Sequence, residues 1–145
     1  MSARFRLFQL ASPALPIGGY SYSQGLEAAI ESGIVSGEDS LLRWIADLLQ
    51  FSMGSYEIPC LLEMSDVWES GDFPAIARLN DEFLASRESA ELRAMSVQMG
   101  YSMAKLAQSL PDMPSWLTGT LASLDEPGLP CVWSGVAYAW SLRSE

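Results

Sequence analysis

An all-α fold of about six or seven helices around one core is predicted from three observations. Apolar residues recur at steps of three and four along several stretches, strand-like alternation never persists, and Pro and Gly clusters cut the chain into helix-length pieces. With 145 residues, 49% hydrophobic and 18% charged, the chain fits one globular domain spanning 1–145 and is long enough to bury a sizeable core.

In chain order, Phe5, Leu7, Phe8, Leu10 and Ala11 suit a short helix or helical turn that must stop before Pro13 and Pro16. Gly18 and Gly19 open conformations closed to other residues. Ser21 and Gln24 form a Ser-x-x-Gln capping-box pattern for the next helix. That helix carries Tyr22, Leu26, Ala29 and Ile30 at helical spacing and ends on Gly33 as a left-handed cap. Ser36 and Asp39 suggest a further N-terminal cap, and Leu41, Leu42, Ile45, Leu48 and Leu49 give a stripe that predicts a helix burying one face.

Gly54 and Pro59 predict a kink or turn, after which Ile58, Leu61, Leu62, Ser65 and Trp68 resume the helical spacing until Gly71. Asp72 is placed to cap a helix with Pro74 in its first turn and Ile76, Leu79 and Phe83 on its buried side. Residues 85–110 form the longest helical pattern. Its apolar stripe is Leu92, Met95, Met99, Met103, Leu106 and Leu110, and a polar set of Arg87, Glu91, Gln98 and Lys105 lies away from it. Such a Met-rich stripe reads as irregular core filling, with Arg87 and Glu91 as an i, i+4 surface pair. Pro111 and Pro114 bracket a turn, Trp116 to Leu124 gives a short helix, and Val132, Val136 and Trp140 repeat at i+4 in the last one.

Eight basic against eighteen acidic residues give a net charge of −10, which disfavours binding to a nucleic-acid backbone. The same charge favours at most a basic protein partner, and an acidic balance is ordinary in cytoplasmic proteins. No apolar run reaches the roughly 20 residues of a membrane span, and the start of the chain lacks a secretory h-region. A cytoplasmic location is therefore expected. Cys60 and Cys131 match neither a disulfide framework nor a zinc spacing and read as core thiols.

Catalytic chemistry finds little support. The chain has no histidine, which removes His-dependent triads, His-metal centres and His proton shuttles from these residues. The Gly18-Gly19 pair lacks the following lysine of a phosphate-binding loop, and Lys105 is the sole lysine. Ser21 or Ser23 as nucleophile has no histidine available and would need Lys105 as base, and Asp81 with Glu82 or Glu88 with Glu91 read as solvated helix faces. A binding or assembly factor fits better than an enzyme.

The stretch Leu15-Pro16-Ile17-Gly18-Gly19-Tyr20-Ser21-Tyr22-Ser23-Gln24-Gly25-Leu26-Glu27 closely resembles the N-terminal signature of the UreF family of urease accessory proteins. Arg87-Glu88-Ser89-Ala90-Glu91-Leu92-Arg93, followed by Gln98-Met99-Gly100, resembles a second block of that family in the same order. Tyr20 stands where Phe is more usual. The resemblance implies a non-catalytic, all-α and commonly dimeric factor that binds UreD (also called UreH) and the GTPase UreG, acts on apo-urease and supports nickel insertion, with a GTPase-regulating role. It implies no resident cofactor and no metal ligands in this chain, nickel being handled by the complex.

Carried over by position, the residues expected to shape the functional surface are Pro16, Gly18, Gly19, Tyr20, Ser21, Gln24 and Glu27, with Arg87, Glu91, Arg93 and Gln98. Family members normally continue past the point reached at Glu145, so the chain is expected to be C-terminally truncated. Val132, Val136 and Trp140 are then expected to lack neighbours and leave an apolar patch. The alternatives are a helical regulatory module unrelated to nickel and, behind it, a small serine-dependent hydrolase.

Overall fold

Caps and glycines set most of the helix boundaries in the computed structural model, which describes residues 2–142; Met1 and residues 143–145 of the predicted 1–145 domain lie outside the described residues. Helix α1 spans Ala3–Leu10, and a single 3₁₀ turn at Gly19–Ser21 precedes α2, Leu26–Glu31. Helix α3, Glu38–Asp47, runs without a break through a π-helical stretch, Leu48–Glu57, into α4, Ile58–Ser70. Then follow α5 (Phe73–Ala85), α6 (Ala90–Ser109), α7 (Ser115–Ala122) and α8 (Leu129–Ala139). With the α3–α4 rod counted once, the described residues form seven helices and no strand, the all-α class predicted.

Several predicted caps are in place. The Ala75 N–H donates to Asp72 Oδ1 at 3.2 Å, Gly71 takes φ +73° at the end of α4, and Gly33 takes φ +77° just beyond α2. At α3 the cap differs from expectation. Gly37 rather than Ser36 is the capping residue, and Ser40 Oγ accepts from the Ser36 and Gly37 N–H groups at 2.9 and 3.0 Å. Gly54 and Pro59 do not break the chain, because the register widens there: the Ile58 N–H reaches back five residues to Met53. A wider turn accommodates a proline ring that would strike the carbonyl four residues earlier in a regular α-helix.

The 85–110 pattern is helical only over Ala90–Ser109: α5 ends at Ala85, and residues 86–89 break the helix. Ser86 Oγ donates to the Phe83 carbonyl at 2.7 Å at the end of α5, and Ser89 caps α6 by accepting from the Leu92 N–H at 3.2 Å. Serines that bond locally to the backbone compete with helix continuation, which the apolar periodicity alone does not register. On α6 the deeply buried positions are Ser96, Met99, Gly100, Met103, Ala104 and Ala107, a face displaced from the predicted stripe, of which only Met99 and Met103 are fully buried. Small residues let this helix come closer to its neighbours than a Leu/Met face would.

Helix α8 is the hub of the core, packed between α4 and α6. Gly135 permits that approach: a Cβ there would lie 2.7 Å from Leu117 Cδ1 and 3.0 Å from the Trp68 ring. Trp68 uses the space to donate from Nε1 to the Cys131 carbonyl at 3.2 Å and to Ser134 Oγ at 3.1 Å, so its one polar atom is satisfied inside the core. The expectation that Val132, Val136 and Trp140 form an exposed patch is overturned. They are 0%, 2% and 4% exposed, and Arg6 of α1 lies over the Trp140 ring at 5.2 Å while pairing with Asp112 at 2.5 Å.

The predicted buried face of α3 is also overturned, in the opposite sense. No residue of α3 is buried, and Leu42, Ile45 and Leu49 face solvent. Leu41, Trp44 and Leu48 are half-buried, with Trp44 close to Gly25, but no described element covers the Leu42, Ile45 and Leu49 side.

The two thiols differ. Cys131 is fully buried, and burial pushes its pKa up from 9.0 to about 12, with Asp81 adding to the shift, whereas Cys60 is half-buried. A maleimide at pH 8 is expected to modify Cys60 in the native chain and both thiols only after denaturation, as counted by intact mass. Because the folded state disfavours the Cys131 thiolate, this thiol contributes stability that is fully present below pH 9 and is lost as pH rises from about 9 towards 12. Cys131→Ala is expected to flatten that alkaline loss in urea titrations; an unchanged slope would contradict it.

Candidate functional site

The loop that leads from α1 to α2 is built from local backbone bonds. Ser12 Oγ accepts from the Ala14 N–H at 3.1 Å, the Leu15 N–H donates to the Ser12 carbonyl at 3.0 Å, and the Ile17 N–H to the Leu15 carbonyl at 2.8 Å. Gly18 then takes φ +80°, a region favouring glycine, and the Ser21 N–H closes the 3₁₀ turn onto its carbonyl at 3.1 Å. Gln24 at φ +52° and Gly25 at φ +88° reverse the chain into α2. Holding a glutamine in the left-handed region costs about 1 kcal/mol and is the kind of strain that tertiary contacts must enforce.

This path rules out the predicted capping box. Ser21 is inside the 3₁₀ turn, Gln24 is left-handed, and Gly25 occupies the capping position of α2 with no side-chain bond. Two successive positive φ values separate Ser21 from the helix it was expected to cap.

The two sequence blocks meet in space. Ile17 packs against the core, and Gly19 lies against α6 so closely that a Cβ would stand 3.3 Å from Met99 Sδ, in the Gln98-Met99-Gly100 block. The loop is pinned on its inner side. Its outer side presents Pro16, Gly18, Gly19, Tyr20, Ser21, Gln24 and Glu27 to solvent, with Tyr20 89% exposed. An aromatic ring so placed adds nothing to the core.

The residues of the second block divide. Gln98 and Glu91 are exposed. The Glu91 carboxyl is held below the usual carboxylate range by its own backbone N–H and then by the Ser89 hydroxyl at the start of α6. Arg93 makes a bidentate pair with Glu126, two parallel N–H···O contacts of which Nη1···Oε1 is 3.0 Å; that pair draws the Glu126 carboxyl down and the Arg93 guanidinium up. Arg87 is not a surface partner of Glu91. Its side chain is 8% exposed, bonded to Glu57 at 2.7 Å and stacked over Phe83 and Tyr56 at 4.3 and 5.6 Å, so it ties the end of the π-helical stretch to the α5–α6 corner.

Three residues outside the predicted set complete this arrangement. Asn80, buried on the core face of α5, donates to the Glu126 carbonyl at 2.9 Å and accepts from the Gly128 N–H at 2.8 Å. Ser96 accepts from the Leu129 N–H at 3.2 Å. With Glu126 they fix the turn before α8 against α5 and α6. The readable signal for Asn80 is a lone amide on an otherwise apolar helix face, since a buried amide must find partners.

Among the described residues no group of three or more Cys, Asp or Glu side chains is placed to hold a metal ion. Lys105, the only lysine, lies 4.9 Å from the Tyr101 ring on α6. The arrangement presents a shaped surface rather than a nucleophile with its base.

The family model described as UreF matches residues 35–145. The urease accessory protein UreF of Dechloromonas aromatica is 52% identical over 141 residues, covering 97% of this chain and 62% of that protein. Its counterpart from Azoarcus is 47% identical over 143 residues, with 97% and 61% covered, and that of Ectopseudomonas mendocina is 44% identical over 145 residues, with 100% and 65% covered. The chain thus spans less than two thirds of the length of these curated relatives. Through the family match over 35–145 and alignments that also take in the Leu15–Glu27 loop, this chain belongs to the UreF family.

Proposed function

We propose that the chain is a urease maturation factor that acts by protein binding and carries no catalysis of its own. It joins UreD/UreH and the GTPase UreG in a complex on apo-urease, supports nickel insertion and regulates the GTPase. The complex handles nickel, this chain holds no resident cofactor, and the factor works in the cytoplasm as a homodimer. The observation that supports the reading is the close approach of Gly19 to Met99, which brings the Leu15–Glu27 loop against the second family block while Tyr20 stays exposed. No helix among the described residues is long and apolar enough to cross a membrane.

Tagged chain mixed with purified UreD and UreG is expected to co-purify with at least one of them. Deleting the gene is expected to lower urease activity at least tenfold, with rescue by the gene and partial rescue by excess nickel. Absence of any complex, with urease activity unchanged by the deletion, would reject the proposal.

A further inference from the structure

The apolar side of the α3–α4 rod is an unpartnered face with a definite charge pattern. Leu42, Ile45, Leu49, Ile58 and Leu62 are 43% to 59% exposed along it. Glu38 and Asp39 stand four and three residues before Leu42, and Asp66 stands four residues after Leu62, so helical spacing puts acidic side chains at both ends of the apolar stretch. All three are exposed, and Arg43 is the only basic residue between Glu38 and Ser70.

We infer that this face docks an amphipathic helix of another protein, one with an apolar stripe in its middle and basic residues at its ends. The apolar centre supplies burial, and the acidic ends select the sign of the partner and its register. A second copy of the same face is disfavoured, because a two-fold contact sets acidic ends against acidic ends in either chain direction. The inference depends only on the exposure and charge of the rod and stands apart from the urease assignment.

The test uses the whole chain and a synthetic helix of about 28 residues, enough to span the rod from Asp39 to Asp66 at roughly 1.5 Å per residue. One version carries Leu at helical spacing with Lys and Arg at both ends; its twin has Glu at those ends. By fluorescence anisotropy at low salt the basic version is expected to bind at least tenfold more tightly, and 0.5 M salt is expected to shrink the difference. Hydrogen exchange is expected to slow within 38–66. Ile45→Asn is expected to weaken the basic peptide at least tenfold, and Glu38→Lys with Asp66→Lys is expected to reverse the preference.

Equal binding of both peptides, no binding, or protection elsewhere overturns the inference. So does light scattering in which Ile45→Asn turns a dimer into a monomer, which would assign the face to a second copy. Slow exchange across the equivalent residues of the free, full-length Dechloromonas relative would assign it to the rest of that chain and overturn the inference equally.

Discussion

Gly100→Ala is expected to destabilise the fold by about 3 kcal/mol, lowering the melting temperature by about 10 °C, although it adds a single methyl group to a helix and replaces a poor helix former with the best. The reason is the path of the turn before α8. A Cβ on Gly100 would lie 2.0 Å from the Pro127 carbonyl oxygen and 2.8 Å from the Gly128 carbonyl carbon. Both are backbone atoms, and the turn is already held by Asn80 and Ser96, so it has little freedom to retreat. Either α6 moves away from α8 or the turn gives up its bonds. Gly119→Ala is the control: the same change on α7 meets nothing within 4 Å and is expected to be neutral or to stabilise by about 0.5 kcal/mol. Urea titration of the two variants separates propensity from packing, and equal stabilities would contradict the close approach.

Arg87→Met is expected to cost about 2 kcal/mol. Methionine keeps the contact with Phe83 and Tyr56 but leaves the Glu57 carboxylate without its cation, with the Ser52 hydroxyl still bonded to it at 3.3 Å, and Glu57 is 31% exposed, which keeps the loss below that of a fully buried pair. Glu57→Gln in the same chain is expected to recover much of the loss, because removing both charges leaves no unpaired carboxylate. A double-mutant cycle measures the coupling. An Arg87→Met chain of unchanged stability would contradict the role of Arg87 as a strut and return it to the recognition surface.

The helices were largely legible in the sequence because caps and apolar spacing are local. Asp72, Gly71 and Gly33 act where their residue types predict, and Ile76, Leu79 and Phe83 are buried as their spacing predicts. What local pattern does not encode is the partner. The Leu42–Leu49 stripe is as amphipathic as the α5 stripe, yet α5 buries its stripe while Leu42, Ile45 and Leu49 stay exposed, and Val132, Val136 and Trp140 are covered by elements distant in sequence.

The same limit applied to the candidate site. Its loop was identifiable from Pro and Gly punctuation, but the capping box failed because two consecutive positive φ values cannot be read from Ser-x-x-Gln. Arg87 was predicted beside Glu91 on one helix, and the serine-rich break at 86–89 sends it to Glu57 instead. Its motif position marked it as important, while its depth makes it architecture. Tyr20 is the reverse case, a large aromatic group with no structural duty.

Tyr20→Ala therefore tests the recognition surface most directly. The side chain is 89% exposed, so its removal is expected to change stability by less than about 0.5 kcal/mol in urea titration. In the same preparation, co-purification with UreD and UreG, and activation of apo-urease by the complex, are expected to fall at least tenfold. Full retention of complex formation and urease activation by a stably folded Tyr20→Ala chain would contradict the assignment of the Leu15–Glu27 loop as the surface through which this protein works.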